Sequence, residues 1–301
     1  MIFEGSTMHQ ETNTYEQLIE RFTSWAEREE NMRAAVIIGS RARTDHPADE
    51  WSDLDIIILA QNPEPFWQTA DWLHHLGTPW LTFVEPTPDG RGFERRVLFA
   101  PGLDVDFVPS PVAPFRQMLT GEIPPDVADM IRRGIRFLVD KDNLAALLPE
   151  LPVESVPAQP PSAHEFLNLV HNFWYHTLWT AKHLRRGELW WAKAGCDMHL
   201  KGLLQQMLEW HTRATRGAAV DTWLRGRFLE EWADPRAVTE LAATFAHYDA
   251  EDVWQALLAT MDLFGWLEQE TSAALGFTCP IDGEAHSAEL VHKLFKNRKM
   301  M

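Results

Sequence analysis

The sequence has few cysteines, a minority of basic residues and no long apolar run. Only Cys196 and Cys279 occur in 301 residues, far apart and outside any C-x-x-C pair, which excludes a disulfide framework and a cysteine zinc site. No segment approaches the ~18 uninterrupted apolar residues of a membrane-spanning helix, and the first residues lack the pattern of a signal peptide. We therefore predict a cytoplasmic protein with no membrane partner.

The charge is strongly acidic. The chain carries 27 Lys and Arg against 44 Asp and Glu, a net charge of −17. Nucleic-acid binding requires a basic surface, so we expect no nucleic-acid partner. An acidic field attracts a polycationic small molecule, although solubility alone explains such a charge equally well.

The patterning predicts an α+β protein with two domains. Residues 1–147 mix strands with short helices, and residues 163–301 contain almost no strand pattern. The proline-rich stretch 148–162 cannot continue a helix or a central strand, so we interpret it as a linker. We expect a mixed sheet with flanking helices in the first domain and a helical bundle in the second.

Apolar periodicity locates the individual elements. In the first domain it predicts four helices and six strands. The helices are at 16–30, 65–75, 111–120 and 125–133, and the strands are at 34–38, 53–59, 80–84, 93–100, 103–108 and 135–139. In the second domain it predicts only helices: 163–186, 188–212, 219–231, 236–246, 250–273 and 286–297.

The segment Val36–Leu59 carries the first sign of chemistry. It contains a strand, a Gly-Ser turn, a polar loop and a second strand that opens with Asp53 and Asp55. Residues two apart in a strand point to the same side, so the two carboxylates project together. Paired oxygen ligands at this spacing suit Mg²⁺ carrying a phosphate chain.

Other residues add to this interpretation. A turn at Gly39 and Ser40 offers backbone donors and a hydroxyl to a phosphate, and Arg41 and Arg43 can neutralise its charge. The strand G-L-D-V-D-F-V supplies a third carboxylate from Asp104 or Asp106. A D-x-D pair alone is as often an exposed strand end, but the whole combination indicates in-line transfer of a nucleotidyl group.

These motifs are also the basis of a family resemblance. They include Gly39-Ser40-Arg41, Asp53-x-Asp55, the F-V-E-P run at 83–86 and the V-D-F run at 105–107, followed by helical matches such as F-W-Y at 173–175. The order resembles the DNA polymerase β-like nucleotidyltransferase superfamily. In detail it is similar to the aminoglycoside 6-adenylyltransferases, also called streptomycin adenylyltransferases.

The resemblance implies transfer of AMP from MgATP to an aminoglycoside hydroxyl, in particular the 6-hydroxyl of streptomycin, and hence antibiotic resistance. It implies that Asp53 and Asp55 bind Mg²⁺ and that Asp106 is the third carboxylate. It also implies that Asp106 or Glu85 accepts the proton of the acceptor hydroxyl. The alternative for Glu85 is a glutamate at a strand end that faces solvent. Asn172 stands where an acidic residue is expected before the Phe-Trp pair.

The second domain offers candidates for the acceptor side. Glu165, Asn168 and Asn172 share one helix face, and Trp174 can stack on a sugar ring. Lys182 can reach the triphosphate. Each has a structural alternative: a polar face that only contacts solvent, a Trp174 that belongs to the core, and a Lys182 that is an ordinary surface lysine. We expect ATP and a cationic aminoglycoside as partners of a monomer.

Two other functions are compatible with the sequence. The same chemistry could act on another antibiotic or on a protein hydroxyl. Alternatively, the chain could be a catalytically silent nucleotide-binding module that regulates a partner. Three clustered carboxylates disfavour the silent module, because an idle site has no need for them.

Overall fold

The computed structural model describes residues 14–43, 45–87, 90, 92–150, 158–278 and 281–298, with the backbone only for residues 281 and 282. The chain divides into two compact units, Met1–Ser155 and Val156–Met301. Part of the predicted linker, residues 151–157, lies outside the described residues. The expected α+β architecture, a mixed sheet followed by helices, is confirmed.

The N-terminal unit is built on a six-stranded mixed sheet. The strands are β1 (Met32–Ile38), β2 (Leu54–Ala60), β3 (Pro79–Pro86), β4 (Phe93–Phe99), β5 (Leu103–Pro111) and β6 (Arg136–Asp140). Their order is β3-β4-β5-β2-β1-β6, and of the neighbouring pairs only β2 and β5 run parallel. Strands β4 and β5 form an antiparallel hairpin.

Helices cover both faces of this sheet. One face packs against α1, α2 and a 3₁₀ turn at Asp71–His75, and the other packs against α3, α4 and a 3₁₀ turn at Leu144–Leu147. The four helices are α1 (Tyr15–Ala26), α2 (Glu64–Gln68), α3 (Val112–Leu119) and α4 (Pro125–Arg133). Alternate residues of each strand therefore belong to different environments.

Helix α1 shows how the sequence produces one of these contacts. Thr14 and Gln17 form a reciprocal capping box at its start, which satisfies two backbone donors that would otherwise lack partners. Leu18, Phe22 and Trp25 recur at helical spacing and are buried against the sheet. The helix ends at Ala26, four residues earlier than its charge pattern predicts.

The C-terminal unit is entirely helical among its described residues, with one core that involves every long helix. Helix α5 packs against α11, and α7 packs against α10. The helices are α5 (Ala163–Arg185), α6 (Leu189–Ala194), α7 (Lys201–Arg216), α8 (Leu229–Trp232), α9 (Pro235–Leu241), α10 (Ala250–Leu275) and α11 (Ile281–Lys296).

Two helix predictions in this unit are wrong in detail. The run 188–212 is divided by a π-helical turn at Gly195–Leu200, where Gly195 packs so closely that a Cβ would lie 2.8 Å from the Trp179 ring. The run 219–231 forms only a 3₁₀ turn and the short α8, because Arg225 and Phe228 adopt positive φ. None of the described helices is long and apolar enough to cross a membrane.

The aromatic pair Phe173–Phe264 gives a stability prediction for the C-terminal unit. The two rings stack with centroids 3.6 Å apart, and both residues are fully buried. We expect Phe264→Ala to lower the free energy of unfolding by about 3–5 kcal/mol, because the cavity cannot be refilled. Urea denaturation followed by circular dichroism measures the change.

Phe245→Ala is the matched control, since Phe245 belongs to the same unit and is 53% exposed. We expect it to change stability by about 0.5 kcal/mol or less. Equal losses in the two variants would contradict the assignment of Phe264 to the core.

Candidate active site

Three aspartates converge at one end of the parallel strand pair. The register of β2 and β5 places Asp55 directly opposite Asp106, and Asp53 immediately precedes β2. One carboxylate oxygen from each of the three lies within 4.8 Å of the other two. Asp104, the other acidic residue of β5, is exposed and does not belong to this triad.

The triad is electrostatically strained around Asp106, which is only 7% exposed. Burial is the main cause that raises the pKa of the Asp106 carboxyl to about 6; Arg96 opposes the rise, and the negative charges of Glu94, Asp104 and Asp53 add to it. Ionised Asp106 is thus disfavoured in the folded protein unless positive charge is nearby.

The donor set of the triad fits a divalent cation. It consists of carboxylate oxygens alone, the hard ligands that Mg²⁺ prefers. A cation placed among them would offset both the mutual repulsion and the burial of Asp106. Asp53, Asp55 and Asp106 are therefore the residues of this unit that would hold the ion.

The turn after β1 is shaped to approach Asp55. Gly39 has a φ of +71°, and a Cβ at this position would lie 2.4 Å from the Asp55 Oδ2 atom. Both the backbone conformation and the lack of space require glycine here. The segment Gly39–Arg41 forms a single 3₁₀ turn, after which the chain continues as a loop.

Ser40 presents an unused hydrogen-bonding group at this turn. Its Oγ atom is buried and has no hydrogen-bond partner among the described residues. A buried polar atom without a partner is costly, so the hydroxyl is well suited to bind an oxygen of a ligand phosphate.

The two arginines that follow are engaged with the loop. Arg41 Nε donates to the Asp53 carbonyl at 2.9 Å, and its Nη2 donates to the Ser52 carbonyl at 2.6 Å. Its guanidinium also lies 3.6 Å from the ring centroid of Tyr15, whose hydroxyl accepts from the Asp104 backbone N–H. Arg41 therefore holds the loop in place, and its contact with a phosphate stays a prediction.

Arg43 is likewise in contact with the loop, through a hydrogen bond from Nε to the His46 carbonyl at 3.0 Å. Its contact with a phosphate stays a prediction. The loop thus uses the side chains of both arginines.

Sequence reasoning missed two residues that border the triad, Glu94 and Arg96 on β4. Arg96 pairs with Asp106 across β4 and β5 and forms ion pairs with Glu94, Glu85 and Asp106. The alternation of F-E-R-R-V-L-F contained the signal, because positions 94 and 96 share the face of Asp106 while Arg95 turns to the opposite face. Glu85, a predicted residue, is brought to this group by Arg96.

The remaining predicted residues lie on α5 of the C-terminal unit. Glu165 is part of a capping box with Ser162, and Asn168 and Lys182 are exposed. Asn172 Oδ1 lies 3.2 Å from His199 Nε2. The capping role of Glu165 follows from the S-x-x-E spacing, a local signal that competes with a binding role.

Trp174 borders an acidic cleft within the C-terminal unit. Its indole N–H donates to Glu268 Oε2 at 3.0 Å, and the cleft has a volume of about 910 Å³. Asp262, Glu268 and Glu284 contribute carboxylates to its lining. Burial and the neighbouring Glu268 raise the pKa of the Glu284 carboxyl to about 8.

The order of these features along the chain matches one protein family. Residues 12–294 match the family model for streptomycin adenylyltransferase. The chain belongs to this family. It is therefore an enzyme, a nucleotidyltransferase of the adenylyltransferase type.

Individual relatives of this adenylyltransferase align over most of their length. The aminoglycoside 6-adenylyltransferase of Bacillus subtilis (strain 168) is 21% identical over 271 residues, 88% of this chain and 92% of the relative. That of Staphylococcus aureus is 22% identical over 280 residues, 89% and 94% of the two chains. A crystal structure of an aminoglycoside 6-adenyltransferase from Bacillus subtilis covers 94% of this chain and 99% of its own, with 19% identity and a TM-score of 0.44.

The close approach of Gly39 to Asp55 leads to a prediction about the metal site. We expect Gly39→Ala to weaken Mn²⁺ binding at least about tenfold, because the new Cβ must push the Asp55 carboxylate aside. Calorimetric titration with MnCl₂ measures the affinity. Gly187→Ala is the control, since Gly187 has a similar φ of +74° but no atom within 4 Å of its added Cβ. Equal weakening by both variants would sink the steric explanation.

The raised pKa of Asp106 predicts a pH-dependent stability in EDTA. At pH 7.5 Asp106 is ionised, and burying this charge opposes folding. As the pH falls from about 6 toward 3.8, the ordinary pKa of an aspartate, the folded protein takes up the proton before the unfolded chain does, so the destabilisation decreases. We expect Asp106→Asn to raise the free energy of unfolding by about 2 kcal/mol at pH 7.5 and by about half as much at pH 5.

Asp104→Asn is the control for that experiment, because it removes the same charge from an exposed neighbour on the same strand. We expect it to change stability by about 0.5 kcal/mol or less. A gain for Asp106→Asn that does not depend on pH would argue against burial of its ionised form.

Proposed function

We propose that this adenylyltransferase transfers AMP from MgATP to a hydroxyl of an aminoglycoside, specifically the 6-hydroxyl of streptomycin. The observation that carries the proposal is the aspartate triad on β2 and β5, within a chain that matches the streptomycin adenylyltransferase family along nearly its whole length. The use of ATP as the donor also agrees with a cytoplasmic location of the protein.

The donor side of the reaction belongs to the N-terminal unit. Asp53, Asp55 and Asp106 would hold Mg²⁺, which when bound supplies positive charge to the phosphates of ATP and to the leaving pyrophosphate. The Ser40 hydroxyl, buried without a partner, would donate to a phosphate oxygen. Gly39 allows the backbone to come close to the same group.

The acceptor hydroxyl must lose its proton as its oxygen attacks the α-phosphorus. The new bond forms on one side of the phosphorus while the bond to the bridging oxygen breaks on the other, and pyrophosphate leaves. Two carboxylates are candidates for the proton. Asp106 has a raised pKa, which favours proton acceptance, but it also belongs to the triad. Glu85 is outside the triad and its side chain is 42% exposed, so a bulky acceptor can reach it.

The acceptor is proposed to be a polycation. The net charge of −17 favours encounter with cationic molecules, and relatives such as the one from Bacillus subtilis are named aminoglycoside 6-adenylyltransferases. On α5, Asn168 and Asn172 offer amides to sugar hydroxyls. Trp174 offers a ring beside the acidic cleft of the C-terminal unit, and exposed Lys182 remains a proposed contact for phosphate.

The direct test is mass spectrometry of streptomycin after incubation with the protein and MgATP. We expect streptomycin to gain the mass of AMP and pyrophosphate to be released. Asp53→Asn and Asp55→Asn should each reduce this transfer about a hundredfold or more while circular dichroism stays unchanged, because the ion and the phosphates lose their anchor. Asp104→Asn, which changes an exposed carboxylate outside the triad, should retain transfer.

The pattern of results separates the alternatives. AMP addition to a different antibiotic would keep the chemistry and change the acceptor. Binding of MgATP in calorimetry without pyrophosphate release from any acceptor would favour a silent nucleotide-binding module. Wild-type transfer by Asp53→Asn or Asp55→Asn would mean that the ion is held elsewhere.

A further inference from the structure

The Arg96 guanidinium lies at the border of the aspartate triad and is shared among three carboxylates. Its Nε lies 2.6 Å from Glu85 Oε1, its Nη2 lies 2.8 Å from Glu94 Oε1, and its Nη1 lies 3.4 Å from Asp106 Oδ2. Nε and Nη2 both donate hydrogen bonds to Glu94 Oε1, whereas the contact with Asp106 is made by Nη1, a separate nitrogen of the same planar group. Arg96 can therefore give up one partner without leaving the other two.

The contact with Asp106 is the weakest of the three. Both glutamates are within hydrogen-bonding distance of the guanidinium, whereas 3.4 Å is long for a charge-assisted hydrogen bond. Glu94 and Asp106 have side chains that are only 10% exposed, so solvent screens their charges poorly. Arg96 thus supplies positive charge to a buried carboxylate that it does not bind tightly.

This arrangement conflicts with a cation bound by the triad. A divalent ion held by Asp53, Asp55 and Asp106 would lie close to the same Asp106 carboxylate, and two positive charges at that distance repel each other strongly in a partly buried site. The conflict is relieved if the guanidinium moves away from β5 toward Glu85, which lies on β3 on the other side of β4, and keeps its contact with Glu94 of β4 itself.

We propose that Arg96 is a resident counter-cation of Asp106 that a divalent cation displaces toward Glu85 and Glu94 when it binds the triad. Arg96 stabilises the triad without metal and weakens its affinity for metal. The inference rests on the proposed function only in taking the triad as the metal site.

The neighbouring arginine shows that this placement is particular to position 96. Arg95 turns to the opposite face of the sheet, where its Nε donates to the Phe66 carbonyl at 2.9 Å and its Nη1 donates to Thr82 Oγ1 at 3.0 Å. It is 5% exposed and secures the sheet to α2. Two adjacent arginines therefore perform separate tasks, and only Arg96 borders the carboxylates.

The test is calorimetric titration of the full chain with MnCl₂ at one pH and without ATP. We expect Arg96→Gln to bind Mn²⁺ about tenfold more tightly than the wild type, since the competing charge is gone, and to melt at a lower temperature in EDTA. Arg96→Lys should stay within about threefold of the wild-type affinity, since it keeps the charge. Arg33→Gln removes an arginine of β1 that forms an ion pair with Asp142, so it controls for net charge and should bind Mn²⁺ as the wild type does.

A second set of variants separates displacement from a general electrostatic field. Glu85→Gln removes a short partner of Arg96, so it should weaken Mn²⁺ binding in the wild-type background and change it much less in Arg96→Gln. Equal effects of Glu85→Gln in the two backgrounds would overturn the displacement, because independent charges contribute additively.

The outcomes also distinguish this inference from the proposed function. Mn²⁺ binding by the wild type that Asp106→Asn abolishes, with no tightening in Arg96→Gln, would overturn the role of Arg96 and leave the metal site intact. No Mn²⁺ binding by the wild type would overturn both. If Arg96→Gln fails to fold, Arg96→Lys with weaker binding than the wild type by more than about tenfold would also count against the proposal.

Discussion

Repulsion between carboxylates held side by side is the constraint on which the N-terminal unit depends. The parallel register of β2 and β5 fixes Asp55 opposite Asp106. Asp53 adds a third negative charge, and the surrounding dipoles do not fully offset the repulsion among the three carboxylates. The hydrophobic residues that alternate with these aspartates are buried on the opposite face, so the strands cannot slip to relieve the repulsion. The energy of packing thus maintains an arrangement that electrostatics alone would disperse.

Positive charge enters this site from the neighbouring strand. Arg96 belongs to β4, which joins β5 in an antiparallel hairpin, and the short Pro101-Gly102 connection keeps the two strands in one register. The same hairpin brings Glu85 of β3 near the triad through its pairing with Glu94. The four consecutive strands β3, β4, β5 and β2 therefore carry both the carboxylates of this group and the arginine that offsets their charge.

Much of the N-terminal unit could be predicted because its signals are local. Alternation of apolar residues identified all six strands, and the D-x-D spacing led to Asp53 and Asp55. Arg96 could not be assigned in the same way, because its importance depends on which strand lies beside β5, a non-local pairing. In the C-terminal unit, the prediction of a helix at 219–231 is wrong because Arg225 and Phe228 adopt positive φ, which interrupts a helix despite the amphipathic spacing of the side chains. The sequence pattern supports two roles for Glu165, and the structure shows the local one, a capping box with Ser162 three positions earlier, while its binding role stays a prediction.

Tyr15, the first residue of α1, connects two parts of the N-terminal unit that are distant in sequence. Its ring supports the Arg41 guanidinium, and its hydroxyl accepts a hydrogen bond from the backbone of Asp104 on β5. One side chain thus couples the loop before β2 to the strand that carries Asp106. The placement of α1 and that of the loop before β2 are therefore not independent, because the first residue of this helix contacts both Arg41 and the backbone of Asp104.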